Sequence, residues 1–276
     1  MIKQIFKKYQ LKITITLLVV ILESIIQILF PLFIGITIND LINSSYTGLY
    51  QLIGLSTAAL IIGTIRRFYD TRVYSHIYAQ LSTNISKKQL DEEVEVSKVT
   101  ARVNLLTELV EFFENDIPSI MGNIIGLIGT LIIILGISMK LFIASLIAIL
   151  LIVIIYWLSG ASIFKYNEKF NNELEHQVDI LKTKSRIQIK SHFSQLMRWN
   201  IKLSDLESIN YFFVWIILSG LLVFTIVDSV QTEPLKYGTI LATVMYIFEF
   251  MSQLTMLPYY YQQLIRLKEI SGRLQE

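Results

Sequence analysis

Long apolar runs, broken by two long polar stretches, dominate the chain. Crossing ~30 Å of hydrocarbon takes about 20 apolar residues as a helix, and six runs are of that order: 13–38, 49–65, 117–138, 141–164, 209–227 and 237–264. Glu23 and Glu249 are the only charged residues inside them. The first run is too long for a cleaved leader and is followed by no small-residue cleavage site, so it is expected to remain as a helix. The intervening segments 66–116 and 165–208 contain neither Pro nor Gly and also read as helix. In the first, Phe68, Val73, Ile77, Leu81 and Ile85 recur at helical spacing, as do Leu105, Leu109, Phe112 and Phe113 on the returning arm. The expectation is an all-α membrane protein, a single six-helix domain over 1–276, with four helices prolonged beyond the bilayer by arms of ~35 Å.

Composition agrees with the lipid reading. Residues of the AVILMFWYC set make up 53% of the 276 and charged residues only 17%, too few to cover a water-soluble domain of this length. The formal charge of +2 is too even for a nucleic-acid binder, so no nucleic acid is expected among its partners. Absence of Cys removes disulfides, thiolate nucleophiles and Cys-ligated zinc. Charge placement says more than the total. Of 24 Lys and Arg, 22 fall before residue 13, in the two long polar segments, or after residue 264, leaving Lys140 and Lys236 for the other side. The positive-inside rule therefore places both termini in the cytoplasm, in a cell membrane crossed several times. Tyr46 and Tyr50 at one end, and Trp157, Tyr211 and Tyr259 to Tyr261 at the other, suit headgroup anchoring.

Within the bilayer the polar residues stack. Glu23 is followed one turn later by Gln27, and Glu249 by Gln253, all near the midplane. On the last run Tyr246, Glu249, Gln253, Met256 and Tyr260 share one face. An intramembrane charge is costly unless it faces a cavity, finds a partner or takes up a proton. Glu23, Gln27, Tyr246, Glu249 and Gln253 are accordingly the candidate substrate or proton pathway, the alternative being neutral carboxyls that serve packing. Gly122, Gly126, Gly129 and Gly136 on the third run allow close helix approach, with Asn123 placed to hydrogen-bond across helices. The acidic group Asp91, Glu92, Glu93 and Glu95 reads as solvated helix charge or a turn between arms, with partner docking as the sharper alternative. No catalytic or metal set is expected: all three His lie outside the spans and no span contains Asp.

Six helices, short turns on one side and two long helical excursions on the other resemble the transmembrane domain of ABC exporters. Phe30, Pro31 and Leu32 followed by Gly35, Ile36, Thr37, Ile38, Asn39 and Asp40 are similar to a stretch of that family's first helix. Gly238 and Thr239, Tyr246, Pro258 and the Arg273-Leu274 pair resemble its last. The resemblance implies a transport subunit that dimerises with a second copy or a homologous chain. It also implies an ATPase partner, but no Gly-Lys dipeptide occurs and hence no P-loop. The chain is thus expected to be no enzyme and to bind no cofactor itself, meeting ATP only through a separately encoded ABC ATPase. That partner would dock on the excursions, around Lys98 and around Arg198 to Asp205, where the shorter turns are expected. Where the family shows Thr-Gly-x-x-x-Arg, Lys98 replaces the Gly ahead of Arg102, and the second excursion is shorter than usual. These departures suit an alternative, a proton-coupled peptide or small-molecule transporter without an ATPase, like the SbmA/BacA type. A structural or regulatory membrane subunit is the third reading.

Overall fold

A computed structural model describes residues 2–231, 234 and 236–273. Among them the secondary structure is helical: α1 (Ile2–Ile42), α2 (Thr47–Asp91), α3 (Val96–Glu111), α4 (Ile117–Ile137), α5 (Met139–Glu175), α6 (Gln177–Lys182), α7 (Arg186–Gln231) and α8 (Tyr237–Arg273). Six stretches are long and apolar enough to cross a membrane, α3 and α4 forming one of them through a π-helical turn at Phe112–Asp116. The π turn has a local cause. Pro118 cannot donate an N–H, and its ring crowds the carbonyl four residues back, that of Glu114. Four helices run on past their apolar stretches, as the absence of Gly and Pro in 66–116 and 165–208 predicts. Of the Arg273-Leu274 pair, Leu274 lies outside the described residues.

Connections are short, and three carry a non-glycine residue in the left-handed region: Ser44 (φ 60°), Glu93 (φ 56°) and Lys184 (φ 53°). The acidic group is therefore a turn, with Glu93 at its corner. In the second excursion the turn falls at 183–185, and α7 is already continuous from Arg186. Arg198 to Asp205 thus lie inside a helix, roughly 20 Å beyond the turn, not at a turn as expected.

The chain forms two compact units, one of residues 1–138 and 228–276 and one of 139–227. In the first, a core at the excursion end gathers Tyr9 and Ile13 of α1, Val73, Tyr74 and Ile77 of α2, Leu106 and Leu109 of α3, and Ile270 of α8. Leu81 and Ile85 continue the stripe, but Phe68 is 61% exposed. Five residues separate Phe68 from Val73, a rotation of about 140° that puts it off the buried face. It lies instead beneath the Arg72 guanidinium, 5.2 Å from the ring centroid.

At the opposite end of this unit, α1 holds the starts of α2 and α8. Asn39 Oδ1 accepts from the Gly238 N–H at 2.8 Å, and Asp40 Oδ2 accepts from the Gly48 N–H at 2.9 Å. The first N–H groups of a helix have no partner within it, so two adjacent side chains of one helix cap two others. A Cβ on Gly35 would meet the Gly238 carbonyl oxygen at 2.5 Å, so the backbones touch there. The glycines of α4 behave differently. Gly122 and Gly126 make room for the side chains of Ser24 and Gln253, Gly129 for that of Ile28, and Gly136 faces nothing within 4 Å.

The second unit joins α5 to α7 by side chains. Ser159 Oγ donates to Asn210 Oδ1 at 2.7 Å, and His192 Nδ1 lies 2.7 Å from Glu173 Oε1. Between these pairs, the Tyr166 and Trp199 rings stack with centroids 6.3 Å apart.

Candidate functional site

The polar residues of the spans converge in the first unit. Glu23 of α1 and Arg66 of α2 form an ion pair of 2.5 Å, each side chain only about one-fifth exposed. Arg66 follows the apolar run of α2 directly, and one turn later Asp70 accepts from the buried Thr16 hydroxyl at 2.7 Å. Arg66 Nη1 also reaches Asp70 at 3.5 Å. Thr16 and Glu23 are two turns apart on α1, as Arg66 and Asp70 are one turn apart on α2, so two facing stripes interlock. Gly63 gives the Glu23 carboxylate space on α2, since a Cβ there would lie 3.2 Å from Oε1.

Beside this network is a cavity of about 650 Å³, bounded by Glu23, Arg66, Asp70, Glu114, Asn123 and Gln253 among others. The π turn before Pro118 contributes Glu114 and Asn115. A smaller cavity of about 210 Å³ includes Glu249, Ser252 and Gly126 in its wall, and shares Ser24, Gln27, Gly122 and Gln253 with the larger one. The shared residues lie on α1, α4 and α8, and the glycine supplies the width. Asn123 Nδ2 donates to the Gln253 carbonyl at 3.1 Å, the cross-helix bond expected of it. Gln253 Oε1 is buried with no hydrogen-bond partner among the described residues.

Four of the five pathway candidates thus meet around one polar chamber: Glu23, Gln27, Glu249 and Gln253. Tyr246 does not line it. Fully buried, it donates its hydroxyl to the Ile28 carbonyl at 2.8 Å. The Ile28 carbonyl, one turn before Leu32 on α1, thus takes up the phenol and ties α8 to α1. Met256, the residue farthest round the predicted face, is 45% exposed, whereas Tyr260 lines the larger cavity.

Sequence reasoning missed Arg66, Asp70, Thr16 and Glu114. Arg66 and Asp70 were visible as an opposite-charge pair at i, i+4 immediately beyond an apolar run, the position from which a long side chain reaches back. Lys98 is exposed in the first turn of α3, close to the turn at 92–95, and Arg198 is exposed along α7. Among the described residues no cluster of three or more His, Asp or Glu could hold a metal ion.

A family model for the ABC transporter transmembrane region matches residues 2–238. No curated protein matches the chain.

Proposed function

The chain belongs to the ABC transporter transmembrane region family, and from that premise we propose that it is a transport subunit whose pathway passes through the chamber between α1, α4 and α8. One observation carries this reading: the two cavities share Ser24, Gln27, Gly122 and Gln253 and hold a carboxyl at each end of the shared wall, Glu23 and Glu249. Glu23 is committed to Arg66, whereas Glu249 has no hydrogen-bond or ion-pair partner among the described residues, which leaves it for substrate or a proton.

Two chains, identical or homologous, enclose the pathway. The chain lies in the cell membrane with both termini cytoplasmic, because 22 of its 24 Lys and Arg flank the spans on one side. A separately encoded ABC ATPase docks on the excursions and supplies ATP hydrolysis, Lys98 and Arg198 being exposed contacts for it. Proton coupling without an ATPase is the second reading, supported by the unpartnered Glu249.

Because the chain lacks Cys, Gln27→Cys and Ser252→Cys can be labelled specifically in proteoliposomes. Both are expected to react with a small hydrophilic thiol reagent, at rates that change when transport is energised. Cysteines inert at both positions would mean a dry chamber and would remove the pathway.

A further inference from the structure

In the second unit two lysines gather on one aromatic ring. Lys169 of α5 places Nζ 4.4 Å from the Trp199 centroid, and Lys202 of α7 places its own 4.9 Å from the same ring and 5.9 Å from Tyr166. Among the described residues neither lysine forms an ion pair, although Glu168 and Asp205 are close in sequence. The rings offset the repulsion between the ammonium groups through their negative faces, and leave each with N–H donors to spare. Lys165, adjacent to Tyr166, and Arg198, adjacent to Trp199, are exposed and add to the positive field.

The height of this patch decides what it meets. The apolar run of α5 ends at Phe164, two residues before Tyr166, and Trp199 stacks on Tyr166 at the same level. Phe164 is 71% exposed, so apolar surface reaches the patch on α5, while on α7 the exposed polar residues Ser204, Asp205, Glu207 and Ser208 separate Ile201 from the apolar run that begins at 209. Side chains of a helix lean toward its N-terminus, which on α5 brings Lys169 back toward the bilayer. Lys202 lies beyond Trp199 along α7, on the side nearer the apolar run, and the same lean carries it back from there to the level of the rings. Tyr and Trp with an apolar body and a polar edge belong at headgroup depth.

We propose that Lys169 and Lys202, braced on Trp199 and Tyr166, form a site for the phosphate of an anionic phospholipid on the excursion side of the bilayer. The phosphodiester takes N–H donors from both ammonium groups, and its acyl chains run along the exposed apolar surface above Phe164.

The test uses the full chain with Trp157→Phe and Trp215→Phe, so that Trp199 is the sole tryptophan and can be excited beyond the tyrosine absorption, in nanodiscs of phosphatidylcholine. A small fraction of lipid brominated near the headgroup end of its chains is then introduced, as phosphatidylglycerol or as phosphatidylcholine. Phosphatidylglycerol is expected to quench Trp199 preferentially, with a preference on the order of fivefold for each lysine. Lys169→Gln with Lys202→Gln should bring quenching to the phosphatidylcholine level, while Lys87→Gln with Lys88→Gln, at the far tip of α2, should not. Helix content by circular dichroism confirms that each variant is folded. Equal quenching by the two lipids, no quenching by either, or a preference that survives the double substitution would overturn the site. Loss of the preference in millimolar inorganic phosphate would assign the lysines to a free anion and overturn the lipid assignment.

Discussion

Glu23 and Arg66 meet at 2.5 Å across the α1–α2 contact, although one interrupts an apolar run and the other directly follows one. Each solves the other's problem. A carboxylate near the centre of a span needs a partner, and Arg66 supplies it while its second nitrogen reaches Asp70. Removing one member strands the other in a partly buried site, whereas removing both does not. Glu23→Gln is expected to lower stability by about 2–3 kcal/mol, and Glu23→Gln with Arg66→Met to recover most of that loss. Thermal unfolding in mild detergent across the double-mutant cycle measures it. Additive losses would show that the pair is not coupled.

The glycines separate into two classes that a single substitution distinguishes. A methyl group at Gly35 would meet the Gly238 carbonyl oxygen at 2.5 Å, and backbone cannot step aside as a side chain can. Gly35→Ala is expected to cost about 3 kcal/mol through displacement of α8 from α1 and loss of the Asn39 cap. Gly136→Ala meets nothing within 4 Å and should stabilise α4 by up to ~1 kcal/mol, the difference in helix propensity. The same melting assay ranks them, and equal effects would contradict the packing.

Tyr246 shows how far a sequence pattern can be read. Its spacing from Glu249 and Gln253 places it on their face of α8, and so among the pathway residues. Periodicity does not reveal that its hydroxyl is taken up by the Ile28 carbonyl of another helix, far away in the chain. The same limit applies to Arg66 and Asp70: their partners Glu23 and Thr16 are set by the docking of α2 on α1. By contrast the spans and the helical excursions follow from hydropathy and from where Gly and Pro are absent, which are local properties. The turn at 183–185 escaped notice because Lys184 takes a left-handed conformation without glycine or asparagine to announce it. Tyr246→Phe is accordingly predicted to destabilise the α1–α8 contact by about 1 kcal/mol through loss of the hydroxyl's bond to the Ile28 carbonyl. Labelling of a cysteine at Gln27 in the Phe variant should retain its rate, whereas a pathway role for the hydroxyl would change it.

The proposed membrane orientation rests on the Lys and Arg distribution and is open to direct labelling. Ser44→Cys, in the turn between α1 and α2, should react with an impermeant thiol reagent added outside intact cells. Ser97→Cys and Ser191→Cys, exposed on the two excursions, should react only after the cells are opened. Outside labelling at Ser97 would invert the topology.

The two proposed energy sources make opposite predictions at Glu249. Its carboxyl borders the smaller cavity with no partner among the described residues, so Glu249→Gln removes an exchangeable proton while keeping size and polarity. If the proton gradient drives transport, this substitution should abolish uptake driven by a pH gradient in proteoliposomes. An uncoupler should do the same to the unsubstituted protein with no ATPase present, and charge reversal at Lys98 and Arg198 should leave uptake intact. If a separate ATPase drives transport, the ranking reverses. Lys98→Glu and Arg198→Glu should then suppress ATP-dependent transport by tenfold or more, corresponding to about 1.4 kcal/mol of lost docking energy, and Glu249→Gln should alter substrate affinity without removing ATP dependence. Both exposed residues can be reversed with little effect on folding, since neither belongs to the buried core. Transport that persists without ATP and without a proton gradient would reject both energy sources and leave a passive or structural role for the subunit.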